Sequence, residues 1–380
     1  MTAATTSAFG ADPAQAAQQV PVGFAELTGW DEDDHAAAFA AFARSCRALL
    51  QSGATPSPSL RRVAERAASA GLLQPGTLDP SSCRAFFEQN FRPVRIAPAE
   101  GHGLLTGYYE PEVRGSRRRT PRFRFPLYAR PNDLVDVEPA EMPDGWDPDR
   151  RFARSTPSGL QPYFDRAAIE AGALDGRGLE LVYLDDPIEL YVIHVQGSAR
   201  IRLEDGGLLR VAYAAKAGHP YTSLGKLLIE HGAATAETMT LSLLRQWLGA
   251  AGEAGRELMR QNRSYIFFRE LNEAGLDPAL GAIAAAGVQL TPGRSIAVDN
   301  RHIGYGSPVW IGAELPLGQG GAIRHFRRLM VAQDTGSAIV GPARADLFIG
   351  LGAEAGEAAG RIRHVPDSFV VLEPVAGDRS

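Results

Sequence analysis

An α+β fold, mainly β, is what this sequence predicts, on three observations. Helical patterns fill the stretch before Arg92, short strand-like runs dominate after Gly287, and the middle mixes both. Gly 41 and Pro 26 imply frequent turns and short strands. A length of 380 residues exceeds one compact unit and points to two domains with more than one β-rich core.

The start, "MTAATTSAFGADPAQAAQQV", has neither a basic n-region nor an apolar core. It reads as a disordered leader over 1–22, or as the remnant of a removed signal. "DEDDHAAAFAAFARSCRALLQSG" opens on acids, continues with alanine-rich helical periodicity and meets Gly53, which predicts a capped helix from Asp33 to Gln51. "SLRRVAERAASAGL" and "SSCRAFFEQNF" are two more helices, the second with Ser81 as N-cap.

From Arg92 the texture turns to strands, "RPVRIAP" and "GLLTGYYEPEVRG". A basic, proline-punctuated segment (115–131) follows, and residues 132–160, rich in Pro, Asp and Gly, read as loop. "LELVYLDD" (179–186) and "IELYVIHVQGSARIRL" (188–203) form a strand pair, and "EDGG" turns the chain into "LLRVAYAA". Helices return at "YTSLGKLLIEHG" and across 236–262, before the strand "SYIFF". The remainder is short strands, including "RRLMVAQ" (327–333), with a helix in "GAEAGEAAGRI".

Bulk chemistry narrows the partners. Hydrophobic residues at 44% and charged residues at 22% describe an ordinary globular protein. A net charge of −5 speaks against nucleic acid or an anionic membrane surface as partner. The absence of an apolar run of about 18 residues leaves no membrane-spanning helix to expect. Cys46 and Cys83 fit a disulfide in an exported protein or two buried thiols equally well. Without C-x-x-C or H-E-x-x-H spacing, neither a metal site nor a cofactor is expected.

The richest stretch is 334–350, "DTGSAIVGPARADLFIG", which sets Asp334 and Asp346 twelve residues apart among glycines. Asp334-Thr335-Gly336-Ser337 has the form of an aspartic-protease signature. That dyad needs a second copy, and none occurs in the chain. Asp346 sits between "GPAR" and "LFIG"; an acid flanked by apolar residues can be held protonated for general-acid work, or can serve as a turn or cap. The glycines Gly350, Gly352, Gly356 and Gly360 lack dinucleotide-loop spacing and read as a turn and a short helix. "TGYYEP" (106–111) suits sugar stacking, or a strand with half-buried tyrosines. His194, Gln196 and Ser198 alternate along the predicted strand as one polar face, either a binding wall or a solvent surface. Asp299 and Asn300 are suited to a loop.

Taken in order, "GLLTGYYEPEVRGS", "FPLYARP", "DRAAIEAGAL", "IELYVIHVQGSARIRLEDG", "GHPYTSLGKLLIEHG", "NRSYIFFRE", "GVQLTPGRSIAVDNRHIGYGSPVWI" and "LMVAQDTGSAIVGPARADLFIGLGAEAGEAAG" resemble the membrane-bound lytic murein transglycosylase A family, which carries a C-terminal 3D domain. The resemblance runs from Arg92 to Glu373. It implies cleavage of the β-1,4 bond between N-acetylmuramic acid and N-acetylglucosamine in peptidoglycan, without water, leaving 1,6-anhydromuramoyl ends. It implies a main domain built on a double-psi β-barrel (23–111 plus 272–380) and an inserted, smaller β-barrel domain (112–271), with the glycan in a groove.

The family's catalytic aspartate matches Asp346 of Asp346-Leu347-Phe348-Ile349-Gly350, and Asp334 matches its supporting aspartate. Thr106, Tyr108, Gln196, Ser198 and Gly336 would contact the glycan. Ser337 stands where the family usually has glycine, and the family's lipoprotein signal is not evident. The implied setting is the periplasm, with outer-membrane association, and a monomer acting on glycan strands beside other cell-wall enzymes. Two alternatives stay open at this level: an inverting hydrolase using Asp334 and Asp346, or a non-catalytic wall-binding protein.

Overall fold

The computed structural model describes residues 17–375 apart from 52–56, 75, 77, 144, 147–149, 236–237 and 273. Residues 1–16 of the expected leader lie outside that set. Strand β1 (Ala17–Pro21) leads to helices α1 (His35–Gln51), α2 (Pro58–Ser69) and α3 (Pro80–Asn90). Strands β2 (Phe91–Pro98), β3 (Leu104–Glu110), β4 (Glu112–Ser116), β5 (Phe125–Tyr128), β6 (Leu134–Asp136), β7 (Phe152–Thr156) and β8 (Gly159–Gln161) follow. A helical turn, α4 (Arg166–Ala168), precedes β9 (Glu180–Leu184), α5 (Pro187–Gln196), β10 (Ser198–Leu203) and β11 (Leu208–Lys216). Helices α6 (Leu224–Glu230), α7 (Leu241–Ala251) and α8 (Glu253–Gln261) lead to β12 (Ile266–Glu270). The last stretch holds β13 (Ser295–Val298), β14 (Pro308–Leu315), β15 (Arg324–Asp334), β16 (Arg344–Leu351), α9 (Gly352–Ala359), β17 (Arg363–His364) and β18 (Ser368–Pro374).

Four expectations need correction. Residues 17–21, assigned to the leader, form β1, which pairs antiparallel with β2 from Ala17↔Pro98 to Pro21↔Val94. The N-cap of α3 is Asp79, whose carboxylate accepts the Ser82 N–H at 2.7 Å. Pro80 belongs at the first helical position, so the cap must precede it and Ser81 is too late. Within 132–160, read as loop, β6, β7 and part of β8 build a small antiparallel sheet.

The fourth correction bears on function. Residues 187–196 are helix α5, so His194, Gln196 and Ser198 do not alternate along one strand. The apolar, β-branched run misled the reading, although both helix ends were written locally. Asp186 caps the Ile188 N–H at 2.7 Å, Pro187 occupies the first turn, and Gly197 stops the helix at φ 78. His194 is buried, with its ring 4.4 Å from Tyr265 and its Nδ1 3.1 Å from the Arg166 guanidinium. Burial and the Arg166 charge hold it well below the usual histidine range, hence neutral.

The described chain forms two compact units, one comprising residues up to 107, 284–348 and 362 onward, the other 108–283 and 349–361. In the first, a nine-stranded sheet runs β1-β2-β18-β14-β15-β13-β16-β3-β17. Strand β13 lies parallel to β15 and antiparallel to β16. Helices α1–α3 bury Phe39, Phe42, Phe86 and Phe87 with Phe91 and Trp310. Rings such as Phe39 and Phe86 meet edge-on, 5.3 Å between centroids.

Polar pins fix the central strands to this core. Gln333 on β15, fully buried, donates to Ala41 O and Ser45 Oγ of α1 and accepts from Ser295 Oγ of β13. Asp33 takes both Arg294 nitrogens at 2.8 and 2.9 Å and the Leu329 N–H at 2.8 Å. Such buried groups demand full hydrogen bonding, so β13 and β15 have one register rather than several.

The second unit holds a six-stranded sheet, β12-β11-β10-β4-β9-β5, and the small sheet of β6–β8. Glu110, fully buried, accepts from Arg200 Nε at 3.0 Å and Arg210 Nη2 at 3.2 Å, and both arginines also donate to Leu280 O. Among the described residues, no helix is long and apolar enough to cross a membrane.

Candidate active site

Along β16 the burial pattern alternates: Ala345 and Leu347 are buried, while Arg344 and Asp346 are half-buried. Two-residue periodicity therefore puts Arg344 and Asp346 on the same face. Thr106 of β3 meets them there. Its hydroxyl accepts from Arg344 Nη2 at 2.8 Å and donates to Asp346 Oδ1 at 2.5 Å. Arginine can only donate, so the single hydroxyl hydrogen is free for the carboxyl. Arg344 is held in turn by Ala345 O at 2.6 Å and Leu104 O at 3.4 Å.

Desolvation raises the Asp346 pKa above the ordinary aspartate value, and it outweighs the Arg344 charge and the Thr106 hydrogen bond, which both pull it down. Some solvent access remains at this side chain. A carboxyl that is reachable yet costly to ionise is what a general acid near neutral pH requires.

Asp334 closes β15 and accepts the Ala285 N–H at 3.3 Å. Register relates it to Asp346: Ala297 on β13 is paired with Asp334 on one side and Asp346 on the other. The two acids thus flank one strand, about 10 Å apart at the backbone from two strand spacings. Gly336 is exposed in the following loop. That loop is tied back at two points, by Thr335 Oγ1 donating to Val298 O at 2.8 Å and by the Gly341 N–H donating to Asp299 at 2.9 Å. Burial would raise the Asp299 carboxyl, but Arg301 and the Gly341 N–H hold it at about 2. It is therefore an anion near neutral pH.

The remaining candidates belong to the second unit. Tyr108 and Ser198 are buried. Gln196, at the end of α5, accepts the Tyr109 N–H at 3.0 Å. With Tyr191, Val195, Tyr221, Leu241 and Arg245 it lines a mainly apolar cavity of about 170 Å³. The structure thus brings Thr106 and Asp346 into contact, sets Asp334 on the far side of β13, and puts Gln196 beside a cavity of the second unit.

Two residues escaped the sequence reading. Arg344 stands two positions before the acid, a spacing that in a strand means a shared face, but its partner Thr106 is 238 residues away. Asp299 was legible as a loop residue, yet its hold on Gly341 spans 42 residues. The glycines of 350–360 answer to packing and turn geometry. A Cβ on Gly356 would lie 2.7 Å from the Tyr109 ring, and one on Gly360 would lie 2.8 Å from Leu241 Cβ. Cys46 and Cys83 are buried and unbridged.

Comparison with known proteins bears on this arrangement. Residues 104–269 match the MltA specific insert domain and residues 294–372 the 3D domain. The chain is 31% identical over 328 residues to the membrane-bound lytic murein transglycosylase A of Vibrio cholerae, covering 85% of this chain and 78% of that one. A solved membrane-bound lytic murein transglycosylase from Agrobacterium tumefaciens superposes with a TM-score of 0.83 at 38% identity, over 94% of this chain and 97% of that one. MltA from Escherichia coli with bound chitohexaose gives a TM-score of 0.65 at 27% identity, over 94% and 92%. Matched domains over most of its length, and a relative this similar along most of both sequences, make this chain a member of the membrane-bound lytic murein transglycosylase A family.

Proposed function

We propose that this protein is a peptidoglycan lytic transglycosylase that cleaves the β-1,4 bond between N-acetylmuramic acid and N-acetylglucosamine, with Asp346 as its single acid and base. The observation that carries the assignment is the half-buried Asp346 carboxyl, raised by desolvation and hydrogen-bonded through Oδ1 to Thr106. Protonated Asp346 donates to the glycosidic oxygen as the bond to C1 breaks. The carboxylate then takes the proton of the muramoyl C6 hydroxyl as that oxygen bonds to C1. Atoms balance without water, and the acid returns to its starting state. An intramolecular nucleophile makes a second catalytic carboxylate unnecessary.

Asp334 supports the site from across β13, with Thr106 and Gly336 of the same unit as glycan contacts. The neighbour solved with chitohexaose supports a glycan strand as ligand. The parallel pairing of β13 with β15 inside an otherwise antiparallel neighbourhood is consistent with a double-psi arrangement of the central strands. The "membrane-bound" of the relatives' names supports a periplasmic setting at the outer membrane. The chain is taken to act as a monomer.

One observation keeps a second reading in view: Ala297 pairs with Asp334 on one side and Asp346 on the other, so two carboxylates stand on flanking strands, as an inverting hydrolase with a water between them requires. Mass spectrometry of products from purified peptidoglycan separates the two. The expected result is 1,6-anhydromuramoyl ends, with Asp346→Asn slower by about 10³-fold or more. Reducing ends, heavier by one water, would establish hydrolysis and make Asp334 the second carboxylate.

A further inference from the structure

We propose that Arg344 is a positioning residue for the acid: by donating to Thr106 Oγ1 it directs the hydroxyl's hydrogen to Asp346 Oδ1, reserving Oδ2 for the transferable proton. The proposal rests on the assignment of Asp346 as the acid. A threonine hydroxyl left to itself rotates and can either donate to a carboxyl or accept from it. Were Thr106 to accept from a protonated Asp346, the acid proton would be spent on the hydroxyl rather than on the glycosidic oxygen. Arg344 biases that choice: its Nη2, 2.8 Å from Thr106 Oγ1, can only donate, so it fills one of the two acceptor positions of the hydroxyl and leaves the hydroxyl hydrogen for the carboxyl. The 2.5 Å contact to Oδ1 then has one donor, Thr106.

The guanidinium is itself immobilised. Ala345 O and Leu104 O hold Nη1 at 2.6 and 3.4 Å, so the fork is anchored on β16 and β3 at once. Its charge has a second consequence. Asp346 must be an acid first and a base second, so its carboxylate has to be tolerable once the proton has left. Desolvation favours the neutral form, and the Arg344 charge opposes it. The other charged groups in the neighbourhood are Arg363 of β17, which acts on Arg344, and Asp334 across β13.

The test measures kcat and KM for anhydromuramoyl product release from soluble, peptide-free glycan strands across a pH series. Arg344→Met, Arg344→Lys, Thr106→Val, the Arg344→Met/Thr106→Val double variant and Asp346→Asn are compared with wild type, each with its melting temperature. Arg344→Met is expected to lower kcat by roughly 10- to 100-fold with little change in KM. It should also move the alkaline limb of the profile to higher pH, because the charge that favours the carboxylate is gone. Arg344→Lys should return the limb toward its wild-type position. On the acid side of the profile, where the arginine's charge no longer decides the protonation of Asp346, the double variant should be little worse than Thr106→Val alone, since the arginine's influence on direction runs through that hydroxyl.

A profile for Arg344→Met that superimposes on wild type beside an inactive Asp346→Asn overturns this proposal alone. So does a strictly additive double variant. An active Asp346→Asn overturns the assignment of the acid and this proposal with it.

Discussion

At Asp346, the proposed role as acid and the stability of the fold pull in opposite directions. Its folded pKa lies above the unfolded value of 3.8, so between the two the native state binds the extra proton. Stability at this group therefore falls as pH rises through that window. Asp346→Asn keeps the Thr106 hydrogen bond and cannot ionise. Thermal melts across a pH series should show the variant more stable than wild type at pH 7, with the gap closing as pH falls toward the unfolded value. Glu110 shifts in the same direction but differs in what its removal does, being a buried carboxyl that two buried arginines require. Desolvation raises its pKa against the pull of both guanidiniums. Removing it strands two charges, so Glu110→Ala is expected to cost about 3–5 kcal/mol in chemical denaturation. Neither residue's surroundings were legible in the chain. Asp346 stands out by the motif it sits in, whereas Arg344, Arg200 and Arg210 gain their partners only when distant strands meet.

At the scale of elements, two helical glycines make opposite predictions. Gly249 in α7 is exposed, and a Cβ there would find Ile188 Cδ1 at an ordinary 3.8 Å. Gly249→Ala should stabilise by about 0.5–1 kcal/mol through helix propensity. Gly356 in α9 faces the Tyr109 ring at 2.7 Å, and that ring is fixed by Arg245 Nη2 donating to its hydroxyl at 2.7 Å. Gly356→Ala should destabilise by roughly 1–3 kcal/mol from overpacking. Urea midpoints of the two variants check both signs. The same comparison shows how far local reading reaches. Glycine in "GAEAGEAAG" was correctly assigned to a helix, but the reason for it lies in a tyrosine on β3. In α5 the local text was sufficient and was overruled: Asp186-Pro187 and Gly197 mark a helix, while the intervening apolar run reads as strand.

For the molecule as a whole, order and mixed class were visible in the sequence because hydrophobic period and turn residues are local. Pairing was not, since β18 lies between β2 and β14 and β3 lies between β16 and β17. The two thiols report on that assembly. Cys46 of α1 and Cys83 of α3 face the core, and burial pushes them up to about 12 and about 11. Iodoacetamide should leave both untouched in the native protein. Mass spectrometry along a denaturant series should then show them modified together, in the transition that unfolds the first unit.

The separation of Thr106 from Asp346 by 240 residues has a bearing on when the protein can act. Contacts between segments this far apart form late, because a long loop must be ordered before they stabilise anything. Until a ribosome has added β16, the nascent chain has the Thr106 hydroxyl but no Asp346 to receive it. The Thr106–Asp346 pair is thus completed only once the 240 residues that separate its two halves have been made and folded together.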